Sequence, residues 1–395
     1  MEEYDVVVVG GGPTGGFAAG KIAEKRYNTV VFEKNKQIGQ FVNCAGLITP
    51  RVFDIVNISQ KNIVQNQIKG ANIHSPSNHV LTIGGDRAHA LVIDRSVFDK
   101  EIIQDSKKKG TEIFLNNTVE SVQRKNGCIE IKTSKKRDVK CKLLIGADGP
   151  FSTVRDRLVF PEPKEYLKGI GCEISGTNLN PDYVEIFVGN QIAPGFFAWI
   201  IPTSKDGTKA RVGMCISHNA PGSPKFYLSN FLKHKHTKVF FDKTKITKHL
   251  GGVIPLGVLN RTFDDNIMLV GDAAVQVKPT SGGGIYPGLV CADICSSVAF
   301  QALEKNDFSS QFLKSYHKTL MKDMGKELVR GMRFRYIFKN LNDRQMDKYV
   351  KMFQNQKIVD IINRHGDIDY PSRLMKPLIK ELPSLLRLLP SMIKK

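Results

Sequence analysis

The chain has 395 residues, 41% of them hydrophobic, and a formal net charge of +20 at pH 7. This length and composition are typical of a folded globular protein with one large or two ordinary cores. The seven cysteines form no Cys-x-x-Cys pair, so we expect a reducing compartment and no structural metal. The N-terminus has no secretory signal pattern, and no uninterrupted apolar stretch reaches the ~20 residues of a spanning helix. We therefore expect a cytoplasmic protein that does not cross a membrane.

The basic residues are spread along the chain and form neither a single arm nor an aromatic-interleaved platform. This distribution argues against a nucleic-acid partner. Small basic clusters, such as the one at residues 107–109, are typical of solvated surfaces. Attraction to anionic phospholipid explains the net charge as well as nucleic acid does.

The first 33 residues carry the strongest motif. The sequence predicts a buried strand at residues 6–9, followed by Gly10, Gly12 and Gly15 with the G-x-G-x-x-G spacing. A helix at residues 16–27, a second strand at residues 29–32 and the acid Glu33 are predicted to follow in that order. The first glycine permits the tight turn, the second lets a pyrophosphate approach the backbone, and the third lets the helix pack on the strand. The motif therefore predicts a dinucleotide cradle, with phosphates on N–H groups at a helix N-terminus.

The next 100 residues alternate between helix and strand signals. An irregular glycine-bearing loop at residues 39–46 is a candidate site loop, and residues 90–93 predict a strand. We expect Ser96 to cap the following helix, with Asp99 favouring its N-terminus. Hairpin strands are then predicted at residues 113–115, 119–124 and 128–133, with an Asn126-Gly127 turn, before a strand at residues 143–145.

A strand-rich unit follows, and the chain then returns to the first pattern. Mainly antiparallel strands are predicted at residues 184–188, 197–201, 210–216 and 252–256, with one helix at residues 225–233. A strand at residues 267–270 then leads into a glycine-acid turn, three consecutive glycines at residues 282–284 and a long apolar helix at residues 287–303. The remainder is helical and basic.

Three strand-to-glycine-acid turns, at residues 10–15, 146–149 and 271–274, resemble those of FAD-dependent oxidoreductases with the hydroxylase and glutathione-reductase-like fold. The G-A-D-G-x-x-S-x-V-R pattern stands at residues 146–155 and G-D-A-A at residues 271–274. Within that superfamily, residues 43–47, 194–202 and 279–285 resemble the geranylgeranyl reductase family, in particular its archaeal branch acting on digeranylgeranylglycerophospholipids.

The resemblance implies a mixed α/β (α+β) fold in three parts. These are a discontinuous, Rossmann-like FAD-binding domain with a parallel sheet at residues 1–158 and 264–330, an inserted, mainly antiparallel substrate-binding domain at residues 159–263, and a C-terminal helical segment at residues 331–395.

The resemblance also implies a set of FAD-binding residues: Gly10, Gly12, Pro13, Thr14, Gly15, Glu33, Lys34, Cys44, Ala45, Arg95, Asp148, Gly149, Asp272, Gly283, Gly284 and Ile285. Glu33 would accept hydrogen bonds from the adenosine ribose, and Asp272 would bind the ribityl chain or the adjoining phosphate. Arg95 would approach the flavin, with an ordinary helix-start arginine as the alternative. Backbone N–H groups beside the triple glycine would stabilise the negative charge of reduced flavin.

Two further groups are candidates for the substrate side. Cys44 is a candidate proton donor to an alkene, a residue that shapes the pocket, or a small buried hydrophobe. Phe197 and Trp199 share one face of a strand while Phe196 points away, so they line either an apolar tunnel or an ordinary core. Tyr286 departs from the small residues common in the family and would narrow the space near the flavin ring.

The resulting hypothesis is an FAD-dependent enzyme that saturates C=C bonds of geranylgeranyl chains in membrane-lipid biosynthesis. Its electron donor would be NAD(P)H or ferredoxin, since no second nucleotide cradle is evident. The basic and apolar tail from residue 370 to 395 is either a packed cap or a peripheral membrane contact. The alternatives are a flavin monooxygenase or halogenase of the same fold, a partner passing electrons to quinone, and a non-catalytic FAD-containing lipid-binding protein.

Overall fold

A computed structural model describes residues 1–383, which form three β-sheets surrounded by helices. The part of the predicted C-terminal segment at residues 384–395 lies outside the described residues. The strands are β1 Glu2–Val9, β2 Thr29–Phe32, β3 Leu47–Ile48, β4 Val64–Ile68, β5 Gly70–His74, β6 Val80–Gly84, β7 Ala90–Ile93, β8 Glu112–Phe114, β9 Val119–Lys125, β10 Cys128–Thr133, β11 Val139–Gly146, β12 Glu165–Ser175, β13 Tyr183–Val188, β14 Phe197–Pro202, β15 Lys209–Ser217, β16 Lys245–Leu256, β17 Phe263–Asp264 and β18 Ile267–Leu269. The helices are α1 Pro13–Ala23, α2 Arg51–Val56, α3 Arg95–Lys108, α4 Thr153–Arg157, α5 Pro224–Lys233, α6 Ile285–Lys305, α7 Ser310–Lys322, α8 Met324–Lys339, α9 Asp343–Phe353, α10 Gln356–His365 and α11 Met375–Glu381.

The first sheet has the parallel arrangement predicted for the nucleotide-binding part. Its strand order is β17-β18-β11-β1-β2-β8, and the β9–β10 hairpin continues from β11. Strand β1 pairs in parallel with both β2 and β11. The valines of β1 alternate between two cores. Val6 and Val8 pack toward helices α1, α3 and α6, whereas Val7 and Val9 pack toward the β9–β10 hairpin. Because both faces of this strand are covered, its sequence is a continuous apolar run.

The second sheet has seven strands in the order β16-β12-β15-β14-β13-β5-β6, all antiparallel except for the β13–β5 pair. Three of its strands were not expected there. Strand β12 was not predicted from the sequence, because its Gly169 and Gly171 interrupt the apolar pattern. Residues 70–84 fall in the predicted FAD-binding domain, whereas β5 and β6 join this sheet through the pairing of β5 with Tyr183–Val188, a strand more than 100 residues away. The exact domain boundaries stay a prediction.

Two local expectations were wrong. Helix α1 covers Pro13–Ala23 instead of residues 16–27, because proline is well suited to the first helical position. Helix α3 is capped by Asp94, whose carboxylate accepts hydrogen bonds from the N–H groups of Ser96 and Val97, so Ser96 is not the cap. Asp99 instead pairs with Arg95 inside the helix.

The long helix α6 is a core element. By length and composition it is apolar enough to cross a membrane, but 56% of its most apolar window is buried inside the protein. Its buried side chains, among them Leu289, Ala292 and Ala299, belong to the same core as strand β1. Core packing therefore accounts for its composition. The end of α8 and helices α9 to α11 confirm that the predicted C-terminal segment is helical within the described residues.

Candidate functional site

The glycine turn between β1 and α1 forms the nucleotide cradle, and its three glycines have three different surroundings. Gly10 has φ +107°, and a methyl group there would overlap the carbonyl oxygen of Ala147. A methyl group at Gly15 would overlap the carbonyl oxygen of Gly10. At Gly12, by contrast, a methyl group would meet no described atom within 4 Å. The first and third glycines are therefore required by the protein backbone, and the second faces open space in front of the α1 N-terminus.

Glu33 closes the cradle at the end of β2. One carboxylate oxygen accepts the Gly11 N–H at 2.8 Å and the other accepts the Asn35 N–H at 2.8 Å. These bonds hold the acid beside the glycine turn, 8% exposed, with further acceptor capacity on both oxygens. Lys34, the neighbouring predicted residue, is exposed.

The three glycine-acid turns converge at the carboxyl end of the parallel sheet. Asp148 accepts the Val154 N–H at 3.1 Å through one oxygen, while its other oxygen is buried without a hydrogen-bond partner among the described residues. Burial raises the pKa of the Asp148 carboxyl. Thr14 of α1 packs against the third turn, because its hydroxyl lies 3.1 Å from the position that a Cβ on Gly271 would take.

Asp272 belongs to the third turn, at residues 271–274, and its carboxylate lies beside Gly284, which precedes α6. A methyl group on Gly284 would come within 2.9 Å of its carboxylate oxygen, so a side chain at this position would displace the carboxylate. Burial raises the pKa of Asp272 to about 6, and the positive charge of Arg95 opposes this rise. The carboxylate therefore sits in a poorly solvated place, suited to a hydrogen-bonding ligand.

Arg95 and Cys44 lie on the other side of the same space. Two nitrogens of the Arg95 guanidinium donate to Asp99 at 2.9 and 3.1 Å. Burial lowers the pKa of Arg95, but the negative charge of Asp99 and its hydrogen bonds outweigh this effect, so the net shift of the pKa is upward. The Cys44 sulfur accepts the Gly46 N–H at 3.3 Å. A fixed cation thus faces a half-buried thiol.

A cavity of about 680 Å³ joins these groups to the second sheet. Gly12, Pro13, Thr14, Cys44, Ala45, Arg95, Gly149, Asp272, Gly283, Gly284 and Ile285 line its first half. Phe197 and Trp199 of β14 line the other half, above a patch of the sheet with almost no side chains at Gly169, Gly171, Gly251 and Gly252. The Trp199 indole lies across Gly213, where a Cβ would come within 2.6 Å of the ring. The glycines therefore make room for an elongated apolar space.

Two predicted positions differ in the structure. Tyr286 is not among the cavity-lining residues; its ring packs on Tyr370, with the two hydroxyls 3.5 Å apart. The cause is helical geometry, since Ile285 faces the cavity and the next residue on α6 turns away from it. Phe196 precedes β14 and does not point to the opposite face of the strand, because its ring stacks on Phe197 with centroids 4.4 Å apart.

Sequence reasoning missed two buried cations that line the cavity, Arg211 and Lys278. Arg211 of β15 donates to the carbonyl oxygens of Ala45 and Ile93 at 3.1 and 2.9 Å, so it ties the Cys44 loop to the second sheet. Lys278 precedes the triple glycine and forms a buried ion pair with Asp369 at 2.8 Å. The available signal was a single charge within an apolar run, at residues 210–216 and 273–279.

Comparison with known proteins bears directly on this geometry. The FAD binding domain family matches residues 3–319 of the chain. The digeranylgeranylglycerophospholipid reductase of Methanocaldococcus jannaschii is 30% identical, over 97% of each chain. The chain belongs to the geranylgeranyl reductase family of FAD-binding proteins.

Solved structures agree with the fold of this reductase family. A geranylgeranyl bacteriochlorophyll reductase-like protein from Thermoplasma acidophilum has a TM-score of 0.88 at 25% identity and covers 100% of both chains. The flavin-dependent brominase Bmp2 has a TM-score of 0.74 at 16% identity over 97% of this chain and 100% of its own. The second likeness concerns the fold alone.

The residues of this flavoprotein fit FAD. The open space at Gly12 in front of a helix N-terminus suits a pyrophosphate, and Glu33 has acceptors left for a ribose. One oxygen of Asp148 is buried at the convergence of the three turns without a hydrogen-bond partner among the described residues, and a bound cofactor would supply the donor that it lacks. Gly283 and Gly284 leave the backbone uncovered at the far end of the cradle, in the cavity shared with Trp199. The chain therefore binds FAD, and on this fit Glu33 would hold the adenosine end while Cys44 would face the reactive end.

Proposed function

We propose that this protein is an FAD-dependent reductase that saturates the C=C bonds of geranylgeranyl chains in a phospholipid precursor of ether-lipid membranes. The observation that carries the proposal is the single cavity that connects the flavin-binding glycines to an apolar space under Trp199. An isoprenoid chain is long, flexible and uncharged, and the four glycines of the sheet leave a floor along which such a chain can lie. A reductase named for this lipid matches 97% of the chain.

The residues have separate tasks in this reaction. When bound, FAD supplies a hydride to one alkene carbon, and the other carbon then needs a proton. Arg95, held by Asp99, orients the groups around the reacting end. Phe197 and Trp199 exclude water, which limits uncontrolled proton exchange at the reacting end. We assign Cys44 as the proton donor, because its thiol lines the cavity between the cradle and the apolar wall.

The experiment that tests this proposal uses the FAD-loaded protein after anaerobic reduction with dithionite. Adding a digeranylgeranylglycerophospholipid is expected to reoxidise the flavin, and mass spectrometry of the lipid then counts the saturated double bonds. Cys44→Ser is expected to slow this reoxidation at least tenfold without changing the reduction by dithionite. Cys128→Ser, on the β9–β10 hairpin, is the matched control and should behave as wild type. A reduced flavin that stays reduced in the presence of the lipid would rule out the reductase.

We further propose that the protein works at the cytoplasmic face of the membrane as a peripheral protein. Part of the cavity wall comes from the C-terminal helical segment, at Ile362, Ile368 and Leu374. Helices α9 to α11 also expose basic side chains at Arg344, Lys348, Lys351, Lys357, Arg364, Lys376 and Lys380. Basic residues beside an entrance for lipid suit an anionic surface.

Cosedimentation with vesicles tests the membrane contact. Binding is expected with vesicles containing anionic phospholipid, and it should weaken with added salt and be absent with purely zwitterionic vesicles. Lys376→Glu with Lys380→Glu should reduce it, whereas the same charge change at Lys107 and Lys108 of α3 should not. Equal binding to both kinds of vesicle would contradict the electrostatic contact.

The electron donor is a nicotinamide or a ferredoxin, and anaerobic mixing with each in turn separates the two by the rate of flavin bleaching.

A further inference from the structure

The C-terminal strap, residues 366–374, reaches the flavin-binding loop through one buried ion pair. Lys278 Nζ donates to Asp369 at 2.8 Å and to the carbonyl oxygen of Ile368 at 3.1 Å. The two side chains are 7% and 1% exposed. Asp369 also accepts from the Thr49 hydroxyl, at 2.5 Å. The strap is thereby joined both to the loop before the triple glycine and to the segment that follows the Cys44 loop.

Lys278 is in direct contact with the glycines. Its N–H donates to the Gly283 carbonyl oxygen at 3.1 Å, and its own carbonyl oxygen accepts from Gly282 at 2.8 Å. The side chain then runs along the loop, with Nζ 3.6 Å from the position that a Cβ on Gly283 would take. Lys278 lines the same cavity as Gly283, Cys44 and Arg95. Its ammonium is therefore a fixed positive charge at the edge of the flavin-binding loop.

A contribution to folding stability does not by itself explain why the chain has the Lys278–Asp369 ion pair. A buried ion pair loses the hydration of both charges, and its net contribution to folding is often near zero. Arg51 already ties the strap through two bonds to Asp367, at 2.8 and 3.0 Å. Reduced flavin, in contrast, carries negative charge on its pyrimidine portion, and a nearby cation in a poorly solvated site changes the energy of that state strongly.

We propose that Lys278 and Asp369 together set the redox potential of the bound flavin, with Lys278 stabilising its reduced form and Asp369 limiting that effect. The proposal makes the C-terminal strap part of the flavin site. It rests on FAD binding and not on the identity of the lipid, so its test needs no substrate.

The test is the midpoint potential of the FAD-loaded full-length protein, measured by anaerobic photoreduction with reference dyes. Lys278→Met should lower the potential, because it removes the cation and leaves the carboxylate. Asp369→Asn should raise it, because it removes the carboxylate and leaves the cation. Each change is expected to alter the ratio of reduced to oxidised flavin about tenfold, which is about 30 mV for a two-electron couple.

Three further variants separate electrostatics from damage to the fold. Lys278→Arg keeps the charge and should stay near the wild-type potential. The double variant Lys278→Met with Asp369→Asn removes both charges and should also lie near wild type. Arg373→Gln removes an exposed bond to Asp367 in the strap and should leave the potential unchanged. Shifts of Lys278→Met and Asp369→Asn in the same direction, or no shift in either, would overturn the proposal whatever their effects on thermal stability.

Discussion

The two ends of the FAD site are built in different ways. The adenosine end is made by one continuous segment, from Gly10 to Glu33, and its contacts are mostly to backbone atoms. The other end gathers side chains from distant parts of the chain: Cys44 and Arg95 from the first third, Trp199 and Arg211 from the second sheet, and the C-terminal strap. The first end depends on local backbone geometry, and the second depends on how two sheets and a terminal segment pack together.

This difference separates what is common to flavoproteins from what is particular to this one. A backbone cradle binds the same nucleotide whichever substrate the protein uses. The cavity end can change its shape and charge through single side chains. Mutations should therefore have distinct signatures at the two ends, and four predictions test this.

The largest effect is expected at the cradle, from Gly10→Ala. A methyl group there would overlap the Ala147 backbone at φ +107°, so the turn must distort, at a cost of about 3 kcal/mol or more, and FAD binding should be lost. Gly12→Ala is the matched variant, because its methyl meets no described atom. The free energy of unfolding of this variant should lie within about 0.5 kcal/mol of the wild-type value, whereas its affinity for FAD should be at least tenfold weaker. Chemical denaturation and flavin titration measure both, and equal loss of stability in the two variants would contradict the assignment.

The next effect concerns the contact between the sheets. Arg211→Met removes the hydrogen bonds that Arg211 donates to the carbonyl oxygens of Ala45 and Ile93. We expect the free energy of unfolding to fall by about 3 kcal/mol. Because the Cys44 loop loses its anchor, the alkylation rate of Cys44 should also change. Arg261→Met is the control, since Arg261 is a half-exposed partner of Asp264 and should cost less than about 1 kcal/mol. A stable Arg211→Met protein with unchanged Cys44 reactivity would remove Arg211 from this role.

A pH-dependent effect is predicted for Asp272 in the FAD-free protein. Burial raises its folded pKa to about 6, above the value of about 3.9 for an unfolded chain. Because the folded state holds the proton more tightly, ionisation of Asp272 lowers the free energy of unfolding. This loss is absent below about pH 4, grows as the pH rises and is complete above about pH 6. The free energy of unfolding of Asp272→Asn should therefore exceed that of wild type by about 3 kcal/mol at about pH 7 and equal it near pH 4. Urea denaturation across this range measures the difference, and a gain that is independent of pH would contradict it.

The smallest effect is expected in the apolar wall. Trp199→Phe keeps an aromatic ring but leaves space above Gly213, so it should cost about 1 kcal/mol of stability and raise the KM for the lipid several-fold with little change in kcat. Steady-state kinetics with the isolated lipid substrate provide the measurement. A fall in kcat at constant KM would place the indole in the chemical step instead of the binding wall.

The sequence predicted the parallel sheet and its cradle well, since their signals are local. Strand β2 has the predicted bounds, and residues Asn126 and Gly127 both have positive φ, as the hairpin turn requires. Strand β12 was not predicted because its glycines, which line the cavity, interrupt the apolar pattern by which a strand is recognised in the sequence. The second sheet recruits β5 and β6 through pairing across more than 100 residues, and no local pattern encodes that pairing.

At the site, sequence by itself determined the cofactor. The glycine spacing, Glu33 and the two later acid turns constrain the backbone within a few residues, and such constraints can be read directly along the chain. Only the tertiary structure decided what surrounds the reactive end: Tyr286 faces Tyr370 and not the cavity, Arg211 holds the Cys44 loop, and Lys278 meets Asp369. The physical reason is that a buried charge or ring is positioned by partners 80 or more residues away, and packing of the whole chain selects those partners.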